Sequence, residues 1–574
     1  RVMAPPPMRY RPTKALHAAA CLAALSALAG CSQGLFDREE ALKKLPPERL
    51  RDIDRVSLDG YRKPAAAPTA PISAVADAKA ALDAVKSRFE AGETVKIDLE
   101  RCRMSALTNN LDLKVARVDP AIQSEVVSAE EAKFNSAFTL STSYADQNQP
   151  TSSTLNSAKS KNTHIEPGVR IPLRTGGTAT VTLPWNKSEN NNAFSTLNPA
   201  YTSDLFLSIS QPLLRGAGRR ANTASIHIAT YNQQASEART KLEVIRQLAG
   251  VDRSYWRLYQ ARKQLEVRQQ QYELASEQLG RAERRVRSQV SAEVEVIRAQ
   301  GGVADQLEQI ILAQNDVLTQ QRELKRIINE PGLPIEAQTL VEPETPPDPV
   351  EYGFDRAELV QQALANRMEM LELELQLSAD AAQIAFNKNQ SLPLLSLDYS
   401  YRINGLGASS QDSFRQLHDA DFRDWSLGLT AEIPFDNEQA RARVRQAILT
   451  RLQRLASKEA RTLSITQEVL AAIDQIDASW QRILASNQSV TLNIRTLAAE
   501  QRQFDVGKST STNVLDASTR LADAKLAEIR AIADYQIAQI DLAFATGTLL
   551  GSSKVSFEPT PSPDASQPAP PEQP

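Results

Sequence analysis

The chain repeats itself, and that repeat restricts what it can fold into more than any single motif does. Ala106-Leu107-Thr108-Asn109 matches Ala363-Leu364-Ala365-Asn366 at an offset of 257 residues. The same offset pairs Leu140 with Leu397 and Tyr144 with Tyr401 without a gap. Leu205, Leu207 and Pro212 match Leu427, Leu429 and Pro434 at an offset of 222. Gln289-Val290 aligns with Gly507-Lys508, and Val296-Ile297 with Val514-Leu515, at 218. The offset falls mainly between residues 144 and 201, so the first copy carries an insertion there. Self-similarity of this kind marks one structural unit used twice. Each copy reads helix, strand, loop, strand, long helix, turn, helix.

The strand segments have period two. Trp425, Leu427, Leu429, Ala431 and Ile433 alternate with Ser426, Gly428, Thr430 and Glu432. Leu395, Leu397, Tyr399, Tyr401 and Ile403 alternate with Ser396, Asp398, Ser400 and Arg402. A strand with one apolar and one wet face suits an antiparallel sheet on a core, or a barrel with lipid outside and water inside. Each run is about nine residues, the length at which a tilted strand crosses a bilayer. The first copy offers Phe138 to Tyr144 and Leu205 to Gln211, with a further hairpin predicted around Thr175-Gly176-Gly177-Thr178. Asn- and Ser-rich stretches such as Lys187 to Asn192 read as loops at the outer mouth.

The helical segments are too long for a globular core. No proline occurs between Gly218 and Pro331, or between Pro434 and Pro559. Val303, Leu307, Ile310, Val317, Leu324 and Ile328 follow a 4-3 spacing, with Gln314 and Gln321 in the missing steps. Val469, Ile473, Ile476, Trp480, Ile483, Val490, Ile494, Leu497 and Phe504 do the same, with Asn487 and Gln501 interposed. That is a coiled-coil seam. The stretch from Arg219 to Ser288 would extend roughly 105 Å at 1.5 Å per residue. A rod-like scaffold would share these seams, but not the amphipathic strands.

Residues 1–30 read as an address. Arg9, Arg11 and Lys14 precede a short apolar run from Ala15 to Ala27, the pattern of a signal peptide. Leu28-Ala29-Gly30-Cys31 follows at once and resembles a bacterial lipoprotein signal, in which Cys31 is lipidated and becomes the mature N-terminus. An ordinary signal peptide with an incidental cysteine is the competing reading. Ser32 after the cysteine, where an Asp would retain the protein at the inner membrane, points to the outer membrane. Residues 31–97 form an Ala/Pro-containing extension with a helix predicted over 72–90. The two copies occupy 98–330 and 356–550, joined by a proline-rich connector at 331–355. Residues 551–574 read as a disordered tail.

Charge and composition remove other classes. With 66 Lys and Arg against 69 Asp and Glu, the net charge of −3 carries no broad basic footprint for nucleic acid. No apolar run of about 20 residues follows residue 31, so a bundle of membrane helices is excluded. Three cysteines build no disulfide framework, and Cys102 stands alone in the mature chain as a buried hydrophobe. His227 and His418 lack metal-ligand spacing. Gly216-x-Gly218 reads as a tight turn rather than a phosphate loop, and no nucleophile-base signature is visible. The chain is not expected to be an enzyme or to need a cofactor beyond the lipid on Cys31.

The order of segments resembles the TolC-type outer-membrane efflux protein family over about residues 98–550. The resemblance rests on Ala106-Leu107-x-Asn109-Asn110-x-x-Leu113 and its copy Ala363-Leu364-x-Asn366-Arg367, and on Tyr144 and Gln211-Pro212-Leu213-Leu214-Arg215-Gly216. It rests also on Tyr255-Trp256-x-Leu258, Phe504-x-x-Gly507-x-x-Thr510-x-x-Asn513-Val514-Leu515, and Ala545-Thr546-Gly547-Thr548-Leu549. It implies a mainly α fold with β: duplicated long coiled-coil hairpins forming a periplasmic α-barrel. To this each protomer adds four strands in a shared trimeric transmembrane β-barrel of twelve strands.

The same resemblance implies a homotrimeric exit duct in the bacterial outer membrane, lipid-anchored and reaching far into the periplasm. Its partners would be a periplasmic adaptor and an inner-membrane pump, of the resistance type or ABC type, with no nucleic acid. It would passively conduct small molecules. A type I protein secretion duct and a non-conducting periplasmic scaffold are the rivals. The turns near Gln289 and Gly507 become the periplasmic tip. Acidic residues constricting the family's entrance match Asn513 and Asp516 here, with Asn513 in place of an acid. Glu295 and Phe504 match positions that tie inner to outer helix pairs in the closed state. Phe504 stands for the commoner tyrosine, and Gln289 for the tip glycine.

Overall fold

The computed structural model describes residues 93–152, 156–289, 292–553 and 555, all within one unit of the chain. The leader 1–30, Cys31, the extension up to residue 92 with its predicted helix, Val290, and the tail after residue 555 lie outside the described residues. In chain order the elements are β1 (Thr94–Ile97), α1 (Leu99–Asn109), α2 (Leu111–Ala132), β2 (Ala137–Asn148), β3 (Lys159–Pro172), β4 (Thr178–Thr182), β5 (Trp185–Asn190) and β6 (Ala200–Pro212). Then come α3 (Arg219–Asn222), α4 (Ala224–Arg287), α5 (Glu293–Ile328), β7 (Leu340–Pro343), α6 (Arg356–Asn366) and α7 (Met368–Gln390). The chain continues through β8 (Leu394–Gly407), α8 (Ser410–Asp419), β9 (Phe422–Glu432), α9 (Glu438–Asp505), α10 (Ser511–Ala545) and α11 (Leu549–Ser552).

The duplicated Ala-Leu-x-Asn motif closes α1 at Asn109 and α6 at Asn366. In the first copy Asn110 starts the next helix, its side chain accepting from Leu113 N at 2.9 Å and donating to Ile327 O at 2.9 Å. In the second copy Arg367 stands there and is held by Glu369 and Glu468 instead. The proline-rich connector is fastened to the long helices by buried polar groups. The Lys325 ammonium donates to Ala337 O and Thr339 O at 2.9 and 2.8 Å. Tyr255, fully buried, accepts from Thr345 N at 2.8 Å. β1 pairs in parallel with β7 across the same belt.

The first coiled-coil seam is buried along its length: Val303, Leu307, Ile310, Gln314, Val317, Gln321, Leu324 and Ile328 all lie inside. The second buries Val469, Ile473, Ile476, Ile483, Leu497 and Phe504, but leaves Ile494 49 % exposed. Covering such side chains is worth about 1.5–3 kcal/mol each, and it holds the 36- and 68-residue helices that carry the seams against their partners.

The main sheet is antiparallel, in the order β2, β3, β4 with β5, β6, β8, β9. β4 and β5 share one strand position. Thr182 pairs with Gly168 and Phe206, and Trp185 pairs with Ile165 and Ser203, in one unbroken register on both sides. Pro184 interrupts the ladder because it has no N–H to donate, while its carbonyl still accepts from Asp204 N at 2.9 Å. The four strands anticipated from the repeat are β2, β6, β8 and β9. The insertion adds two strand positions between β2 and β6, so the sheet of the described residues has six positions where four were expected. Lys187 to Asn190, expected as loop, form the end of β5, because β3 pairs with all four and β6 with Lys187 and Ser188.

The two faces of this sheet separate by chemistry. One cross-strand row runs Phe138, Val169, Val181, Leu207, Tyr401, Trp425, apolar on all six strands. The adjacent row on the other face includes Arg170, Thr180, Ser208, Ser400 and Ser426. Among the described residues β2 and β9 are the two open edges.

Candidate functional site

The helical tips are built from two matched turns. α4 ends at Arg287 and the backbone turns through Gln289 at φ 56°; α9 ends at Asp505 and turns through Gly507 at φ 76°. Gln289 therefore adopts the left-handed conformation that glycine favours. Thr510 caps α10, accepting from Asn513 N at 3.4 Å. The Asn513 amide donates to Ser509 Oγ at 3.2 Å, and Ser509 to Glu500 at 2.7 Å. Asp516, one turn on, is exposed and makes no hydrogen bond or ion pair among the described residues. Asn513 and Asp516 line a groove of about 700 Å³ between α5 and α10, which Arg298, Gly301, Gly302 and Asp305 border from the α5 side.

Of the remaining tip residues, Phe504 sits in the joint between hairpins and Glu295 does not. Phe504 is buried, and the Arg285 guanidinium of the first hairpin lies 4.6 Å from its ring centroid. The same guanidinium donates to Phe504 O at 2.9 Å. Glu295 pairs with Arg298 on its own helix at 2.9 Å, and its Oε2 is buried with no partner among the described residues. The structure thus brings Phe504 against the other hairpin and keeps Glu295 within its own.

Sequence reasoning missed the rest of that joint. Gln278 donates to Ser511 Oγ at 3.2 Å, and Ser518 donates to Gln271 Oε1 at 2.6 Å, both buried. Gln271 and Gln278 are seven apart on α4, as are Ser511 and Ser518 running the other way on α10. Heptad-spaced polar residues on two antiparallel helices form a ladder that fixes one register. That spacing was the available signal. Among the described residues no group of His, Cys, Asp and Glu could hold a metal, and no helix is long and apolar enough to cross a membrane.

The sequence profile described as "Outer membrane efflux protein" matches residues 178–330 and 359–548, more than half of the chain. The chain belongs to the outer membrane efflux protein family. The outer membrane protein TolC of Vibrio cholerae is 25% identical over 332 residues, covering 56% of this chain and 73% of that protein. Among solved structures, CusC superposes with a TM-score of 0.59 at 16% identity, over 80% of this chain and 94% of its own. The Campylobacter jejuni CmeC outer membrane channel gives 0.59 at 15% identity, over 79% and 86%. These likenesses establish the shared channel fold. Family membership makes the chain an outer-membrane exit duct of an efflux system. In that setting the apolar face of the sheet meets lipid and the polar face meets the aqueous lumen.

Proposed function

We propose that three copies of this chain close into one duct that passively carries small molecules out of the cell, handed over by an inner-membrane pump and a periplasmic adaptor. The observation that carries this reading is a continuous unpartnered surface at each edge of the protomer. β2 and β9 are open edges, and lipid cannot satisfy their backbone groups. Beneath β2, α2 exposes Leu111, Val115, Val118, Ile122 and Val126; beneath β9, α9 exposes Ile448, Leu449, Leu452, Leu455 and Leu463. Each stripe follows a helical spacing. Edge and stripe on one side therefore fit edge and stripe on the other, and head-to-tail association closes a ring.

The tip supplies the gate. Three copies of Asp516 would place a ring of negative charge that favours cations and repels anions. Asn513 beside it contributes no charge. The Arg285–Phe504 contact and the glutamine–serine ladder hold the hairpins in the closed register. An adaptor that binds the splayed arrangement more tightly would shift the population toward opening. Cys31 would carry the lipid that fastens the mature N-terminus to the outer membrane; each buried CH₂ of an acyl chain contributes about 0.8 kcal/mol.

Single-channel recording of the purified mature protein in a planar bilayer tests the duct. Discrete, cation-preferring openings are expected, with the preference reduced in Asp516→Ala. Openings with unchanged selectivity in Asp516→Ala would remove the gate assignment. A protein that neither conducts nor forms a trimer would overturn the duct. Mass spectrometry of the N-terminal peptide, compared with Cys31→Ser, reads the lipid directly.

A further inference from the structure

We infer that the inserted strands β3, β4 and β5, between residues 159 and 190, are part of the barrel wall, so that each protomer contributes six strands and the closed trimer has eighteen rather than twelve. The inference rests on the trimeric duct proposed above. Three independent observations carry it.

The first is pairing. β2 does not pair with β6, its neighbour in the repeat. β3 pairs with β2 over twelve residues, from Ala137↔Arg170 to Asn148↔Lys159, and β4 with β5 pairs with β6. Removing the insert from the wall would strip partners from both β2 and β6 within lipid, where an unpaired backbone group costs several kcal/mol.

The second is the pattern of faces. Ile165, Val169, Ile171 and Val181 continue the apolar face through the insert, and all are exposed in the single protomer. His164, Glu166, Arg170 and Thr180 continue the polar face. His164 is hydrogen-bonded to Asn186 and lies 3.0 Å from Glu166. A loop folded over the mouth would have no reason to keep this alternation in phase with its neighbours.

The third is how the hairpin is seated. Its turn, Leu173 to Gly177, reaches the base of the sheet, where the strands hand over to helices. Gly218 N donates to Thr175 O at 2.9 Å, and Thr175 donates to Gln211 Oε1 at 2.9 Å. The Arg174 guanidinium lies 5.9 Å over the Phe134 ring on the other side. At Gly176 (φ +92°) a Cβ would stand 2.1 Å from Gly216 O, so the turn is fitted into the Gly216-x-Gly218 bend. The insert therefore runs the full height of the wall.

Barrel diameter grows roughly linearly with strand number, so the outer segment is about one and a half times as wide as twelve strands would make it. The long helices beneath are not increased in number. The sizing element of the duct is then the helical tunnel and its tip, and the barrel is a wide polar vestibule lined in part by His164, Glu166 and Arg170.

Cryo-electron microscopy of the full mature protein in detergent decides the count: six strands per protomer are expected. Four strands with the 159–190 hairpin outside the wall would overturn the inference while leaving a trimer intact. A ring of other symmetry would fail the trimer but still read six or four per protomer. Cysteine labelling in outer-membrane vesicles gives a second readout that needs no deletion. Thr180→Cys should react with a small charged methanethiosulfonate reagent through the lumen, and Val181→Cys should be protected by lipid. Equal labelling of both positions would overturn the wall assignment.

Discussion

Arg285 and Phe504 meet across the two helical hairpins through both a ring face and a carbonyl: the guanidinium lies 4.6 Å from the phenyl centroid and donates to Phe504 O at 2.9 Å. A cation–π contact is worth about 0.5–2 kcal/mol, and a hydrogen bond from a charged donor about 1.5–3 kcal/mol. In the proposed gating both are lost when the tips separate. Arg285→Ala should therefore raise the open-to-closed ratio by roughly tenfold or more, since about 1.4 kcal/mol is a factor of ten. Open probability in single-channel records reads this directly. Arg285→Lys keeps the charge but not the planar fork, and should fall between the two. Equal open probability in all three proteins would remove this contact from the gate.

That contact shows where sequence reading stops. The seam from Val303 to Ile328 was legible because a 4-3 spacing has one physical outcome, a buried stripe. Ile494 fits the same spacing yet is exposed, because periodicity says that a face is apolar without saying which helix covers it. The tip turns were legible from their duplication. Arg285 was not, because it sits in the run Arg284-Arg285-Val286-Arg287, which reads as solvated charge. The insert was half legible: Thr175 to Thr178 announced a hairpin, but Lys187 to Asn190 is polar and Pro184 looks like a breaker. Neither reveals that two neighbouring strands were waiting to pair with them.

The ladder beside Arg285 makes a prediction about coupling. Gln278 and Ser511 are both buried, so removing one partner leaves the other unsatisfied, at about 1–3 kcal/mol. Gln278→Leu and Ser511→Ala should each lower the thermal transition of the assembled protein, and the double variant should cost less than the sum. Additive shifts in a double-mutant cycle would mean that the two side chains do not depend on each other.

Gly176 should tolerate no side chain. Alanine there would meet Gly216 O at 2.1 Å and adopt φ +92°, so the backbone must move. Overpacking of this kind costs about 1–3 kcal/mol. The expected effect of Gly176→Ala is a lower thermal unfolding transition of the purified protein. Gly428→Ala is the control, since its Cβ would meet only Asp398 O at 3.9 Å. Matching melting of the two variants would show that the turn is not seated against the bend.

A second close approach positions α8. This short helix lies on the apolar side of the sheet, with Ser413 bonded to Ser203 at 2.7 Å and Trp185 Nε1 donating to Ser410 at 2.7 Å. A Cβ at Gly405 would lie 2.1 Å from Ser413 O. Gly405→Val should lift the helix from the wall and accelerate tryptic cleavage after Arg415 in intact cells. Unchanged cleavage would mean that α8 is held by other contacts.

The belt below the sheet should give the protein an acid limit. Burial alone would push the Glu369 and Glu468 carboxyls up, but the Arg367 guanidinium, with Arg461 behind it, outweighs burial and holds both below the ordinary glutamate range. Arg367 lies 2.8 Å from Glu369, and Arg461 lies 2.9 and 3.1 Å from the two carboxylates. An acid whose pKa is lower in the folded state binds fewer protons there than when unfolded. Its contribution to stability is therefore present above the unfolded value of about 4.3 and is lost as pH falls through the folded value. In calorimetry at pH 7, Glu369→Gln should melt below the parent. As pH falls below about 4.3 the parent should lose stability faster, because only the parent has this carboxylate to protonate, and the two curves should converge. Curves that stay parallel down to the acid transition would show that this cluster does not set the limit.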